Sequence, residues 1–163
     1  MRLFVFYLLL ILGQGFLSAL LAPLPAPDLF LLAMLTLVGR LAPWQLVSAG
    51  YGIGLLQDLI GNGVLGVHAF ALSGAAMAAL VVTAQLSQVG FFERVLKLLA
   101  AVVGKWVAMA AMVVWLSGTF ETLLSVPLVA AFDLGFTVIV GLWLLPWADA
   151  LFERASILRK ELL

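Results

Sequence analysis

Residues 95–116 read VLKLLAAVVGKWVAMAAMVVWL. A run of this length and apolarity is what a helix needs to cross a hydrocarbon core about 30 Å thick, which takes about 20 residues. Lys97 lies near one end of the run, but Lys105 falls near its centre. An ionisable group at that depth is costly and belongs against protein rather than lipid. This one stretch therefore sets two expectations: a helix in a membrane, and a partner for its buried cation.

The rest of the chain shares this character. Of its 163 residues, 66% are hydrophobic and 10% charged, and the mean hydropathy is +1.26. Soluble domains are roughly half apolar and about a quarter charged. A core of this size cannot hide so much apolar surface from water, so the expected solvent is lipid. The formal net charge is zero, which argues against a nucleic-acid partner. Cysteine is absent, which excludes disulfides, thiolate metal sites and cysteine nucleophiles. No internal repeat or low-complexity linker divides the chain, so residues 1–163 read as a single transmembrane helical domain.

Working outward, the apolar segments fall at about 3–22, 29–41, 44–60, 64–84, 95–116 and 122–147. The first is read as a retained helix that doubles as a targeting signal rather than a cleaved leader. Pro23, Pro25 and Pro27 end it, and Asp28 stands where a helix N-cap is wanted. Segment 29–41 is too short to span alone, so it either tilts or forms one leg of a re-entrant hairpin. Gly61-Asn62-Gly63 and Ser117-Gly118-Thr119 read as turns, and residues 85–94 as a polar loop. The expected fold is an all-α integral membrane protein of about six transmembrane helices.

Lys and Arg set the expected orientation. With the N-terminus inside, Arg2, Arg40, Arg94, Lys97, Arg154, Arg159 and Lys160 all fall at cytoplasmic ends, leaving only Lys105 within a span. The outer loops carry no Lys or Arg. The expectation is N-in and C-in, with Trp44, Trp115, Trp143 and Trp147 at the interfaces. The tail, 149–163, reads as a cytoplasmic helical extension. Leu151, Phe152, Ala155, Leu158 and Leu162 keep helical spacing, suited to lying on the membrane or docking a partner.

With loops this short, function must reside in helix faces, in a pocket between helices, or in the short loops and tail. Lys105 and Asp133 lie at similar depth, roughly 17 Å from the outer ends of two helices joined by a tight turn. The expected arrangement is a structural intramembrane ion pair that fixes helix register. Asp58, Asn62 and His68 form an outer-face polar cluster, read as a local hydrogen bond between Asp58 and His68. A metal site would need more ligands than this. Tyr7, Gln14 and Ser18 share one face of the first helix, expected to point into protein. Small residues mark close helix packing or partner contact. They are Gly50 with Gly54, Ser48 with Gly52, and Ser73, Gly74 and Ala78. GxxxG alone argues only weakly for a homodimer, since internal packing uses the same chemistry. No HExxH, GxSxG, P-loop or dinucleotide fingerprint occurs, so neither an enzyme nor a cofactor is expected.

Three motifs resemble one family. Pro27-Asp28-Leu29 opens a short second helix. Gly50-x-Gly52-x-Gly54-Leu55-Leu56-Gln57-Asp58 follows, and then Gly63-x-x-Gly66-x-His68. The chain is similar here to the bacterial rod shape-determining protein MreD family. The motifs cover about residues 23–70, while the C-terminal half resembles the family mainly in hydropathy. The resemblance implies a non-enzymatic scaffold subunit of the cell-elongation machinery, which synthesises peptidoglycan, in the inner membrane. It implies MreC as partner, with links to MreB, RodA and a class B penicillin-binding protein. It also implies a fold like that of the S components of vitamin transporters. The alternative is therefore a small-molecule uptake subunit, with an outer-facing pocket near Asp58, Asn62 and His68. An uptake pocket needs polar groups to orient a ligand, and the outer half offers few, which favours the scaffold.

Overall fold

A computed structural model describes residues 2–22, 26–61, 64–86, 90–117 and 126–161. Within them lie six helices: α1 (Arg2–Leu21), α2 (Leu29–Leu35), α3 (Pro43–Ile60), α4 (Val67–Gln85), α5 (Phe91–Ser117) and α6 (Val126–Glu161).

The shortest helix is the centre of the bundle. All seven residues of α2 are buried, and Leu31, Leu32 and Met34 are completely so. Each of the other five helices packs against it. Asp28 starts α2 as its N-cap, accepting a hydrogen bond from the Leu31 amide at 2.9 Å. That satisfies one of the amide donors that every helix N-terminus leaves unpaired. Beyond Leu35 the chain turns back through Gly39, whose φ of 77° lies in the left-handed region that favours glycine. Pro43 then opens α3 at a position that needs no backbone donor.

The next three helices form antiparallel neighbours packed through small residues. Gly50 and Gly54 of α3 face α4, where a Cβ on Gly54 would overlap the backbone of His68 and Ala69. Gly74 of α4 and Gly104 of α5 stand in the same relation, each filling the space beside Ala108 or Ala78 of the other helix. On α4, Ala69, Ala71, Ala75, Ala76 and Ala79 are fully buried. These helices approach closely because no side chain holds them apart, which is how apolar helices associate when both neighbours and lipid are hydrophobic.

The expectation of six spanning helices is corrected. Among the described residues, three helices are long and apolar enough to cross a membrane: Val67–Gln85, Phe91–Leu116 and Val129–Glu153. In α1 the described apolar stretch is Val5–Leu21, 17 residues long. Seven residues of α2 rise only about 10 Å, and its apolarity serves the protein core rather than lipid. In α3, Gln45, Ser48, Gln57, Asp58 and the glycines between them dilute an otherwise apolar 18-residue helix. The N-in, C-in arrangement depended on an even number of crossings and falls with it. What stands is an all-α bundle with several apolar helices, built as a multi-pass membrane protein is built.

The element bounds also differ in detail. The stretch expected at 29–41 is a short helix followed by a turn. α5 begins at Phe91, inside the expected polar loop, where Glu93 suits the positive helix N-terminus and pairs with Lys97 at 3.0 Å. α6 runs unbroken through Pro146 into the tail. The Asn62, Gly63, Gly118 and Thr119 turn positions lie outside the described residues.

The α3–α4 contact yields a direct test. Gly54→Ala forces backbone apart and should lower stability by about 1–3 kcal/mol. Gly52→Ala, whose new Cβ meets nothing within 4 Å, should leave it unchanged or slightly raised. Thermal unfolding in detergent compares the two.

Candidate functional site

Lys105 projects from the middle of α5 and is only 6% exposed. Its Nζ lies 2.7 Å from Asp133 Oδ2 on α6 and 2.8 Å from Asp28 Oδ2 at the start of α2. Two carboxylates thus share one ammonium, and both are buried. The arrangement continues outward as a network. Trp106 Nε1 donates to Asp133 Oδ2 at 2.9 Å. Thr137, one turn along α6, donates to Asp133 Oδ1 at 3.0 Å and accepts from the Asp28 amide at 3.0 Å. The Leu29 amide donates to Gln14 Oε1 of α1 at 2.7 Å. Four helices therefore meet at this cluster.

Each member sits where it does for a local reason. Pro27 holds the chain extended before Asp28, so the carboxylate is free to cap α2. Asp133 and Thr137 are four residues apart and so share a face of α6. Lys105 reaches them from a neighbouring antiparallel helix. Isolated, any of these charges would carry a desolvation cost of several kcal/mol. Set together, each offsets part of that cost for the others.

The second polar group caps a helix. Asp58, at the end of α3, accepts from the amides of Gly66 at 2.8 Å, His68 at 3.1 Å and Ala69 at 3.3 Å. These are unpaired donors at the start of α4, and the carboxylate meets the positive end of the helix dipole. His68 Nδ1 lies 2.8 Å from Asp58 Oδ1. Asn62 lies outside the described residues. Among the described residues, no three His, Cys, Asp or Glu side chains gather as a metal would require.

A third group closes the opposite end. Arg40, in the turn after α2, donates to Asp149 Oδ1 at 2.5 Å and stands 4.0 Å over the Phe152 ring. Arg94 lies 3.8 Å from the same carboxylate. Asp149 is half exposed, and such pairs contribute little individually. Their effect is to tie the turn after α2 and the start of α5 to α6.

The small residues divide into two sets. Gly50, Gly54, Gly74 and Ala78 are used within the bundle, as above. Ser73 Oγ bonds back to the Ala69 carbonyl at 2.9 Å and Ser48 Oγ to the Trp44 carbonyl at 2.9 Å. Ser48 and Gly52 face outward, with exposed Trp44, Tyr51 and Leu59 on the same side of α3. On α1, Tyr7 hydrogen-bonds Thr36 at 2.7 Å and Gln14 reaches α2, while Ser18 remains exposed.

Sequence reasoning placed Lys105 opposite Asp133 but gave Asp28 only a capping role. It assigned nothing to Trp106, Thr137 or Gln57. One signal for Asp28 was present: a carboxylate capping a helix too short to span must start at depth, where it needs a cation.

No family model matches the sequence, and no curated protein or solved structure shows significant similarity to it. The expected likeness to the S-component fold therefore finds no support among solved structures.

Lys105→Met strands two buried carboxylates and should lower stability by about 3–5 kcal/mol. Adding Asp28→Asn and Asp133→Asn removes both stranded charges and should recover much of that loss. Denaturant unfolding of the single and triple variants in detergent decides it. A triple variant no more stable than the single one would mean that the charges are not coupled.

Proposed function

We propose that this chain is a non-enzymatic assembly subunit of the bacterial cell-elongation machinery, resident in the cytoplasmic membrane. It is read as an MreD-like protein that holds an apolar helix of MreC against its own helix surface. The observation that carries this reading is the outward face of α3. Ser48 and Gly52 lie exposed there, four residues apart, and a Cβ on Gly52 would meet nothing within 4 Å. Exposed Trp44, Tyr51 and Leu59 flank them at 69%, 48% and 70%. A thin strip between large apolar side chains lets a second helix approach closely and gives it rings to pack on.

The motif that carries the family resemblance, Gly50-x-Gly52-x-Gly54, lies on this helix. Alternate positions do different work. Gly50 and Gly54 let α4 approach from within, whereas Gly52 opens to the outside. Links to MreB, RodA and a class B penicillin-binding protein follow from the same resemblance. A second copy of this chain is the competing occupant of the face.

The test is gentle purification from native membranes. The chain should carry MreC with it, and Ser48→Phe with Gly52→Phe should abolish that association while leaving the melting temperature within a few degrees. A variant that retains MreC, or a chain that instead carries an ATPase module, would overturn the reading. A homodimer lost in the same variant, with no MreC present in either sample, would assign the face to self-association.

A further inference from the structure

Two cavities meet beside the charge cluster. The smaller, of about 170 Å³, is bounded by Asp28, Gln57, His68, Lys105 and Asp133. The larger, of about 490 Å³, passes Ile11, Leu12, Gly15, Phe30 and Ile60. Gln14, Gln57 and His68 line both, so a polar chamber adjoins an apolar groove.

The chamber is rich in acceptors. Gln57 Oε1 is buried without a hydrogen-bond partner, while Asp28 Oδ2 lies 2.8 Å from the Lys105 ammonium. Orphaned buried acceptors are rare in folded proteins and mark a missing donor. The cluster sets two carboxylates, Asp28 and Asp133, against the single ammonium of Lys105.

We propose that chamber and groove together bind an amphiphile with a primary ammonium head and a linear apolar chain. The head donates to Gln57 Oε1 and lies beside the Asp28 carboxylate, where two carboxylates share one ammonium. The chain lies along α1, past Leu12 and Gly15. A chamber of about 170 Å³ admits an ammonium with several waters, since each water occupies about 30 Å³ of liquid. Water alone would fill the chamber but leave the adjoining groove unmatched. The site is distinct from the outward face of α3, so it stands or falls independently of partner binding there.

The probes are octylammonium, octanol and butylammonium, titrated calorimetrically into the chain in phosphatidylcholine nanodiscs. Octylammonium should bind saturably at one per chain, at least about tenfold tighter than octanol, which lacks the charge, and than butylammonium, which lacks half the tail. Gln57→Leu should weaken octylammonium about tenfold. Gly15→Phe, at a position where a Cβ meets nothing within 4 Å, should weaken octylammonium and leave butylammonium unaffected. Native mass spectrometry separates the sources. Displacement of a co-purified phosphatidylethanolamine assigns the natural head group to membrane lipid, and binding with no lipid released assigns it to a free amine. Octanol binding as tightly as octylammonium, absence of a saturable site, or wild-type affinity in both variants would overturn the proposal and leave a water-filled chamber.

Discussion

A single ammonium held between two carboxylates organises this molecule. Lys105 lies in the middle of α5, where neither lipid nor apolar protein would tolerate it unpaired. Asp133 supplies one partner from α6 and Asp28 the other from the start of α2. Because Asp28 is also the N-cap of α2, the pairing fixes where that helix begins. A short apolar helix is thereby pinned at the centre of the bundle, with its amide end at the level of the charges and its other end near the Arg40–Asp149 contact. The remaining helices pack around it.

Small residues provide the complementary constraint. Between α3, α4 and α5 the driving force is contact rather than exclusion of water, because lipid is as apolar as the side chains. Gly50, Gly54, Gly74 and Gly104 let these backbones come close, and the buried alanines of α4 keep the middle helix thin. Asp58 then closes the α3–α4 connection by bonding three amides at the start of α4. Asp28 and Asp58 thus cap helix starts, and Lys105 and Asp133 meet at an interhelical junction. Each discharges the hydrogen bonds that its surroundings cannot.

Much of this is legible in local sequence. Apolar runs, proline breaks and an N-capping aspartate locate most of the helices, since each reflects backbone chemistry within a few residues. Lys105 and Asp133 stand at equal depth on adjacent helices, and the structure places them 2.7 Å apart. Two things were hidden. Hydropathy measures dislike of water and is blind to whether lipid or protein replaces it, so the polar-diluted α3 reads as a span and the buried α2 as a tilted or re-entrant membrane segment. The distinction depends on which helices surround them, and that is a property of the whole bundle. Asp28 was hidden for a related reason: its capping role accounts for one oxygen, and only the tertiary position of Lys105 accounts for the other.

The central claim is that Lys105 is shared by two carboxylates from different helices. Solid-state NMR on the chain in lipid bilayers tests it directly, through dipolar coupling between the Lys105 side-chain nitrogen and the side-chain carboxyl carbons of Asp28 and Asp133. Selective Asp28→Asn and Asp133→Asn samples assign each coupling. The account predicts short contacts to both carboxyls in the wild-type chain, with one surviving in each variant. A contact to Asp133 alone, unchanged by Asp28→Asn, would leave α2 without its anchor and contradict the account.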